Sequence, residues 1–491
     1  MTEQRNAAGA AVGGSFCFDN SWVRDLPGSY VAQAPDAAPD PQLVCLNTDL
    51  ARDLGVDPQL LSANPGWFAG GAQPPGAAPV ALAYAGHQFG GFSPQLGDGR
   101  AHLLGEHIAP DGRRWDIQLK GSGRTPFSRG GDGKAALGPM LREYLISEAM
   151  AALGVPTTRS LAVALTGEEV RRESGRLPGA VVCRVASSHL RVGSFQFWSA
   201  RGDLAQLGAL ADYAIARHDP DLLGRDDRVL AFFDRVVSRQ CALVAQWMGL
   251  GFVHGVMNTD NVTISGETID YGPCAFVEAY APGAVFSSID RQGRYALGNQ
   301  PLILGWNMAR LAEALVPLIP GEAEATVERL NDRLGAIAGQ YQAAWVSVMR
   351  AKLGLAGAQP DDAALIDDLL AAMVGADWTL TLRRLADAAR GTEASLRPLF
   401  DDFARMEAWL PRWRARLAPD AAAAMRAVNP LIIPRNHKVE EALQAADTGD
   451  LAPFHALLAQ VTDPFRDGPG REAYALPAPA GFGDYVTFCG T

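Results

Sequence analysis

The apolar pattern of this chain changes period once. Residues 101–108 (AHLLGEHI) and 113–120 (RRWDIQLK), and later SLAVALTG and AVVCRVASS, alternate as strands do. One helical interval, from about Leu137 to Leu153, breaks this region; there Met140, Leu141, Tyr144, Leu145 and Glu148 recur at steps of three and four, and Gly154 and Pro156 end the pattern. Beyond about residue 200 the period is helical, led by VLAFFDRVVSRQCALVAQWMGL and continuing through residues 300–460. A single switch of this kind predicts an α+β fold in two lobes: a strand-rich lobe with one helix, then a helical lobe. The expected divisions are an irregular extension over 1–80, broken by APDAAPDPQ and GGAQPPGAAP, a strand-rich lobe over 81–200, a helical lobe over 201–430 and a C-terminal segment over 431–491. No internal repeat is present.

Charge and cysteine usage narrow the setting. With 43 Lys and Arg against 54 Asp and Glu the net charge is −11, which argues against a broad nucleic-acid footprint. Six cysteines, none in a C-x-x-C pair, indicate neither a zinc site nor a secreted disulfide framework. The first twenty residues have no apolar run behind a basic one, and no stretch approaches the ~20 apolar residues of a membrane span. The expectation is a soluble, cytoplasmic protein with no membrane or nucleic-acid partner.

Several motifs bear chemistry. Gly97-Asp98-Gly99-Arg100 opens the first expected hairpin and Lys120 ends its second strand. Glycines there let backbone approach a phosphate, and a strand-borne ammonium can then meet it; a plain tight turn is the alternative. Glu143, on the expected helix, can pair with Lys120, or can simply face solvent. GSGRTPFSRGGDGKAALG runs into that helix with Arg124, Arg129 and Lys134 inside it, favouring anions, and Asp132-Gly133 can turn toward a nucleotide edge; a surface loop is the ordinary reading. Arg184, amid Val and Cys on a strand, and Arg191 after it need partners, either a triphosphate or an acid of the same lobe.

The most specific stretch is 251–272, GFVHGVMNTDNVTISGETIDYG. Asn261 stands seven residues after His254, and Asp270-Tyr271-Gly272 follows an expected short hairpin bent at Gly266-Glu267. The spacing resembles the catalytic loop and metal-binding Asp-Phe-Gly of protein kinases, with Val256 where the catalytic Asp would stand. Asn261 and Asp270 are oxygen ligands of the type that hold a divalent metal against ATP phosphates. An aliphatic Val256 cannot deprotonate a hydroxyl, and Asp260 is four residues from that position. A phosphotransferase, a non-catalytic pseudokinase scaffold and an enzyme breaking a different bond of ATP all remain open on these residues.

Longer matches separate them. YAGHQFGGFSPQLGDGRAHLLGE, DIQLKGSGRTPFSRGGDGKAALGPMLREYLISEA, HGVMNTDNVTISGETIDYGPCAF, DRQGRYALGNQP and the tail FCGT resemble the selenoprotein O protein adenylyltransferases, which have a protein-kinase-like fold. The resemblance covers residues 84 to 300 and the C-terminus. It implies an enzyme that binds ATP inverted relative to a kinase and transfers AMP to Ser, Thr or Tyr hydroxyls of proteins; uridylyl transfer with Mn²⁺ is a variant. It implies ATP contacts from Gly97, Gly99, Arg100, Lys120, Asp132, Gly133, Arg184, Arg191 and Asp270, Mg²⁺ or Mn²⁺ on Asn261 and Asp270, proton acceptance by Asp260, and positioning of Lys120 by Glu143. It also implies a redox pair between Cys274 and Cys489. The stretch NPLIIPRNH, distinctive as it is, suggests no chemistry.

Overall fold

The computed structural model describes residues 14–173, 175–482 and 485–487. Nine strands precede the helical region: β1 (Tyr30–Ala32), β2 (Gln42–Leu46), β3 (Val80–Leu82), a small separate hairpin β4 (Gly86–Gln88) and β5 (Gly91–Ser93), then β6 (Ala101–Ile108), β7 (Arg114–Lys120), β8 (Arg159–Arg172) and β9 (Gly175–Ala186). Seven of them form one antiparallel sheet in the order β1-β3-β6-β7-β9-β8-β2. The molecule is thus a mixed α/β protein with an antiparallel sheet and many helices.

The β6–β7 hairpin follows from its turn. Ala109-Pro110-Asp111-Gly112 closes with Gly112 N donating to Ala109 O at 2.9 Å, and the register then sets Lys120 opposite Ala101, just past the glycine-rich stretch. Alternation along β7 sends Ile117 and Leu119 to one face, where they pack with Leu161, Val181, Cys183 and Val185 under a cap of Leu50, Leu61, Trp67 and Phe68. The same alternation sends Asp116, Gln118 and Lys120 to the other face, where Lys120 reaches Glu143 on helix Leu137–Ala152. Burying each of the large cap side chains contributes about 1.5–3 kcal/mol.

Two local expectations differ from the structure. Residues 30–46, expected to be irregular, supply β1 and β2 at the two opposite edges of the sheet. Three- and five-residue strands are too short to display a period, and the surrounding prolines mask them. The expected hairpin over 261–272 is absent: Thr263 bridges to Arg191 and Thr268 to Thr157. The loop is closed instead by the Thr263 hydroxyl, which donates to Glu267 O at 2.7 Å and accepts from Glu267 N at 3.1 Å.

In the helical region, Arg228–Leu250 buries one face through Val229, Phe232, Phe233, Val236 and Val237. It stops at Gly251, whose φ of +67° suits a residue without Cβ; a Cβ there would lie 2.6 Å from Val277. The chain then enters β10 (Phe252–Val253), paired antiparallel with β11 (Ala275–Phe276), so the loop that carries His254, Asp260, Asn261 and Asp270 is pinned at both ends. Helices Gln300–Leu315 and Ala323–Leu353 pack around this core, and no helix among the described residues is long and apolar enough to cross a membrane.

Helix Ala323–Leu353 contains a buried lysine, Lys352, whose Nζ donates to Val428 O at 3.3 Å. Burial pushes it down from the ordinary 10.5 to about 7. Between those values the unfolded chain binds the proton and the folded chain does not, so stability rises with pH across that window. Lys352→Met is therefore expected to raise the melting temperature by about 2 °C or more at neutral pH, and to give no gain once the pH passes the unfolded lysine value, as calorimetry over that range would read.

Candidate active site

A cavity of about 990 Å³ opens between the face of the sheet that carries Lys120 and the loop after β10. Gly97, Gly99, Arg100, Lys120, Asp132, Gly133, Arg184, Arg191, Asp260, Asn261 and Asp270 all line it, so residues spread over 174 positions converge (270 minus 97, plus one). Glu143 lies directly behind Lys120. Two glycines are obligatory for shape. Gly97 has φ +107° and a Cβ there would stand 2.4 Å from the Phe127 ring; Gly133 has φ +70° and a Cβ there would stand 2.2 Å from Gly123 O.

At the floor two cations and two carboxylates interlock. Lys120 Nζ meets Glu143 Oε2 at 2.7 Å and also pairs with Asp270. Arg184 pairs through Nε with Glu143 and through Nη2 with Asp270 at 3.0 Å. Strand register explains the convergence: Gln118 faces Arg184 across β7 and β9, and Lys120 lies two residues on along the same face. Glu143 is 2 % exposed, which rules out the solvated alternative. Burial works to raise the Glu143 carboxyl, but Arg184 and Lys120 outweigh it and hold it below the usual range. Burial opposes ionisation of Asp270 too, and Lys120 and Arg184 hold it well below that range. Asp270 adopts φ +69°, a left-handed conformation that costs a non-glycine residue about 1–3 kcal/mol, and these ion pairs hold it there.

Arg191 crosses the site from the other side. Its Nη1 donates to Asp260 O at 3.1 Å, its Nη2 lies 3.5 Å from Asp98 Oδ1, and its guanidinium sits 4.3 Å from the Tyr84 ring centre. Asp98, between the two glycines, also accepts from Gln118 Nε2 at 3.0 Å and from Tyr84 OH at 3.2 Å. The Asp260 carboxyl is pushed up by burial, against partial relief from Gln88 and Arg191. Its Oδ2 accepts from Gln88 Nε2 at 3.1 Å, while its Oδ1 is buried with no hydrogen-bond partner among the described residues. Gln88 and Asp98 were not singled out by sequence. An acid flanked by glycines, and an amide in the GHQFGG stretch, were the available signals.

The loop residues around Asp260 have separate tasks. His254 is buried, with Val256 N donating to Nδ1 at 3.3 Å and Nε2–H donating to Ile269 O at 2.9 Å, and burial pushes its pKa down. It is a neutral strut. Asn261 Nδ2 donates to Val256 O at 3.2 Å, which leaves the amide oxygen as its remaining acceptor. Asp132 is held at the rim by Arg172, with Nη1 at 2.8 Å and Nη2 at 3.3 Å.

The donor set tests the fit of a metal. Among the described residues no group of three or more His, Cys, Asp or Glu could hold an ion. Mg²⁺ fits a smaller set, since it takes one or two protein oxygens and completes its shell with water and phosphate. Asn261 and Asp270 offer one amide and one carboxylate oxygen in the same cavity.

Cys274 is buried and its thiol is pushed up to about 12, chiefly by burial. Cys489, its expected redox partner, lies outside the described residues. The nearest described tail residue, Thr487, donates through its hydroxyl to Pro273 O at 2.8 Å, one residue before Cys274.

NPLIIPRNH proves to be a staple. Arg435, 1 % exposed, pairs with Asp377 at 2.7 Å and donates to Ala475 O at 2.7 Å, and Asn436 Nδ2 donates to Phe276 O at 3.0 Å in β11. Arg435→Ala would leave Asp377 buried and unpaired, so an unfolding loss of about 3–5 kcal/mol is expected in denaturant titration.

Comparison with known proteins bears on this geometry. A family model described as protein adenylyltransferase SelO matches residues 18–462. The chain is 61% identical over 481 residues to a protein of Cereibacter sphaeroides (strain KD131 / KCTC 12085) named protein nucleotidyltransferase YdiU, covering 97% of this chain and 100% of that protein. It is 56% identical over 478 residues to the protein of that name from Mycobacterium sp. (strain KMS), covering 96% and 99%. The counterpart in Sphingopyxis alaskensis is 55% identical over 487 residues, covering 97% and 100%.

Proposed function

The chain belongs to the SelO family of protein adenylyltransferases and is a nucleotidyltransferase, and from that premise we propose that it transfers the AMP moiety of ATP to Ser, Thr or Tyr hydroxyls of proteins. The acceptor oxygen forms a bond to the α-phosphorus, the bond from that phosphorus to the bridging oxygen breaks, and pyrophosphate leaves. Asp260 takes the hydroxyl proton. Lys120, Arg184, Arg191 and Arg100 neutralise the phosphate oxygens, with the backbone at Gly97 and Gly99 close to the triphosphate. Asp132 and Gly133 face the nucleotide at the rim.

Asn261 and Asp270 would hold Mg²⁺, or Mn²⁺ in its stead, which would supply neutralisation of charge on the phosphates. Glu143 fixes the Lys120 ammonium so that it is presented to the nucleotide in one geometry. This ion pair and the placing of Asn261 and Asp270 in one cavity support a kinase-like two-lobed frame.

One observation carries the reading. Asp260 keeps a buried carboxylate oxygen without a hydrogen-bond partner among the described residues, at the cavity wall, whereas the residue two past His254 is the aliphatic Val256. A phosphotransferase would need a base at the latter place. The intact mass of a treated acceptor protein tests it: an adenylyl adduct supports the proposal and a phosphoryl adduct contradicts it.

Further supports concern setting. The contact of Thr487 with Pro273 supports a Cys274–Cys489 redox pair, since it brings the tail beside Cys274. Six scattered cysteines without a C-x-x-C pair support a reducing cytoplasm.

A further inference from the structure

The β4–β5 hairpin covers Asp260 and is tied to the loop that holds it. His87 N donates to Thr259 Oγ1 at 2.7 Å, Phe89 N donates to Asn258 Oδ1 at 3.0 Å, and Gln88 reaches Asp260 itself. Gly86 permits this approach, because a Cβ there would lie 2.8 Å from Asp260 Oδ1. The hairpin therefore forms one wall of the approach of an acceptor hydroxyl to Asp260.

The outer side of the hairpin is apolar and exposed. Phe89 and Ile289 line the cavity mouth at 37% and 52% exposure, and Phe92 is 44% exposed. Single exposed apolar residues are ordinary, but two at one polar opening with a third on the adjoining hairpin mark a contact surface. Leu302, 72% exposed, lies four residues before Trp306 on helix Gln300–Leu315 and so shares its face.

Beside them lies a cation stack. The Arg294 guanidinium sits 4.7 Å from the Trp306 ring centre and 5.7 Å from that of Tyr295, and the Arg310 guanidinium sits 5.4 Å from Trp306. Tyr295 in turn donates to Asn258 and contacts the Phe89 ring at 5.1 Å, so the stack and the hairpin are one unit. Arg310 has an acidic partner, Glu313, at 2.5 Å. Arg294 N donates to Asp290 Oδ1 at 2.9 Å, while its guanidinium forms no ion pair with a carboxylate among the described residues; its Nε and Nη2 are buried under the hairpin turn at Gly90. An incoming carboxylate therefore meets the positive charge of the stack rather than those two covered nitrogens.

We infer that the hairpin, Ile289 and the Arg294–Trp306–Arg310 stack form the docking surface for the acceptor protein, and that it takes a segment with a carboxylate side chain near the modified hydroxyl and an apolar side chain beside it. The inference rests on the protein-modifying reading of the site. Charge complementarity decides the occupant. The chain is acidic overall at −11, so an acidic partner is attracted only where local cations outweigh that field. A basic segment would meet the stack with like charge.

The test uses the full-length protein and synthetic fluorescent peptides, each with one Tyr flanked by Leu and by Glu, Ala or Lys. Binding is read by anisotropy, and transfer is read in parallel from ATP labelled at the α-phosphate. Wild type should prefer the Glu peptide to the Lys peptide by about tenfold, more at low salt than at high. Arg294→Glu should erase or invert that ratio, Arg294→Gln should reduce it, and both should keep the wild-type KM for ATP. Phe92→Ala should weaken all peptides alike. A wild-type ratio near one, or a ratio that survives Arg294→Glu, overturns the inference. A charge-dependent binding preference with no α-label on any peptide supports the docking surface and sinks the transfer reading instead.

Discussion

Replacing Asp270 with Ala is expected to lower nucleotidyl transfer by about a thousandfold or more, equivalent to about 4 kcal/mol in the barrier. The carboxylate is the shared partner of Lys120 and Arg184, and among the described residues Glu143 is the one other carboxylate that pairs with either cation. Its removal lets the two cations drift toward Glu143 and away from the phosphates, and it takes away the only charged oxygen of the pair that suits Mg²⁺. The fold should survive, because Asp270 is at the cavity wall and not in the apolar core. Ala at φ +69° retains the left-handed strain, so Asp270→Gly is the better-folded control and should be equally inactive. Steady-state transfer rates with melting temperatures on the same preparations check this. Wild-type activity in both variants would mean that the metal and phosphate site is elsewhere.

Asp260→Asn is expected to cost about 10²–10⁴ in kcat while leaving the KM for ATP within about twofold. Asn matches the volume and can still accept the hydrogen bond from Gln88, but it cannot take a proton. The backbone carbonyl that Arg191 holds is unchanged by the substitution, so the nucleotide side of the site should persist. The split between kcat and KM separates loss of a base from loss of a binding residue. A variant with wild-type kcat would move the proton acceptor to another group.

Much of the floor of the site was legible because strand and helix periods are local. Lys120, Gln118 and Arg184 share a face by alternation and pairing, and Glu143 sits on the helix that packs there; the sequence pattern predicted β7 and that helix within a residue of their observed bounds, whereas the strand of Arg184, read from Ala180, begins at Gly175. The parts that escaped depend on distant partners. Thr263 and Thr268 looked like two sides of a hairpin, yet each pairs with a segment outside the loop, at Arg191 and Thr157. Arg435 and Asn436 in NPLIIPRNH find their partners at Asp377 and Phe276, 58 and 160 residues away, and no spacing within the motif encodes that. Gln88 escaped for a related reason: its role exists only because Gly86 lets the hairpin close on Asp260. The short edge strands β1 and β2 carried too few residues to show a period at all.

The central claim is that this site breaks the bond on the α-phosphorus of ATP and not the one on the γ-phosphorus. The direct measurement is to incubate the enzyme with acceptor protein, Mg²⁺ and ATP labelled either at the α- or at the γ-phosphate, and to count label on the acceptor after denaturation. Retention of the α-label with loss of the γ-label as pyrophosphate is the predicted result. Retention of the γ-label without the α-label would contradict the account and restore a phosphotransferase.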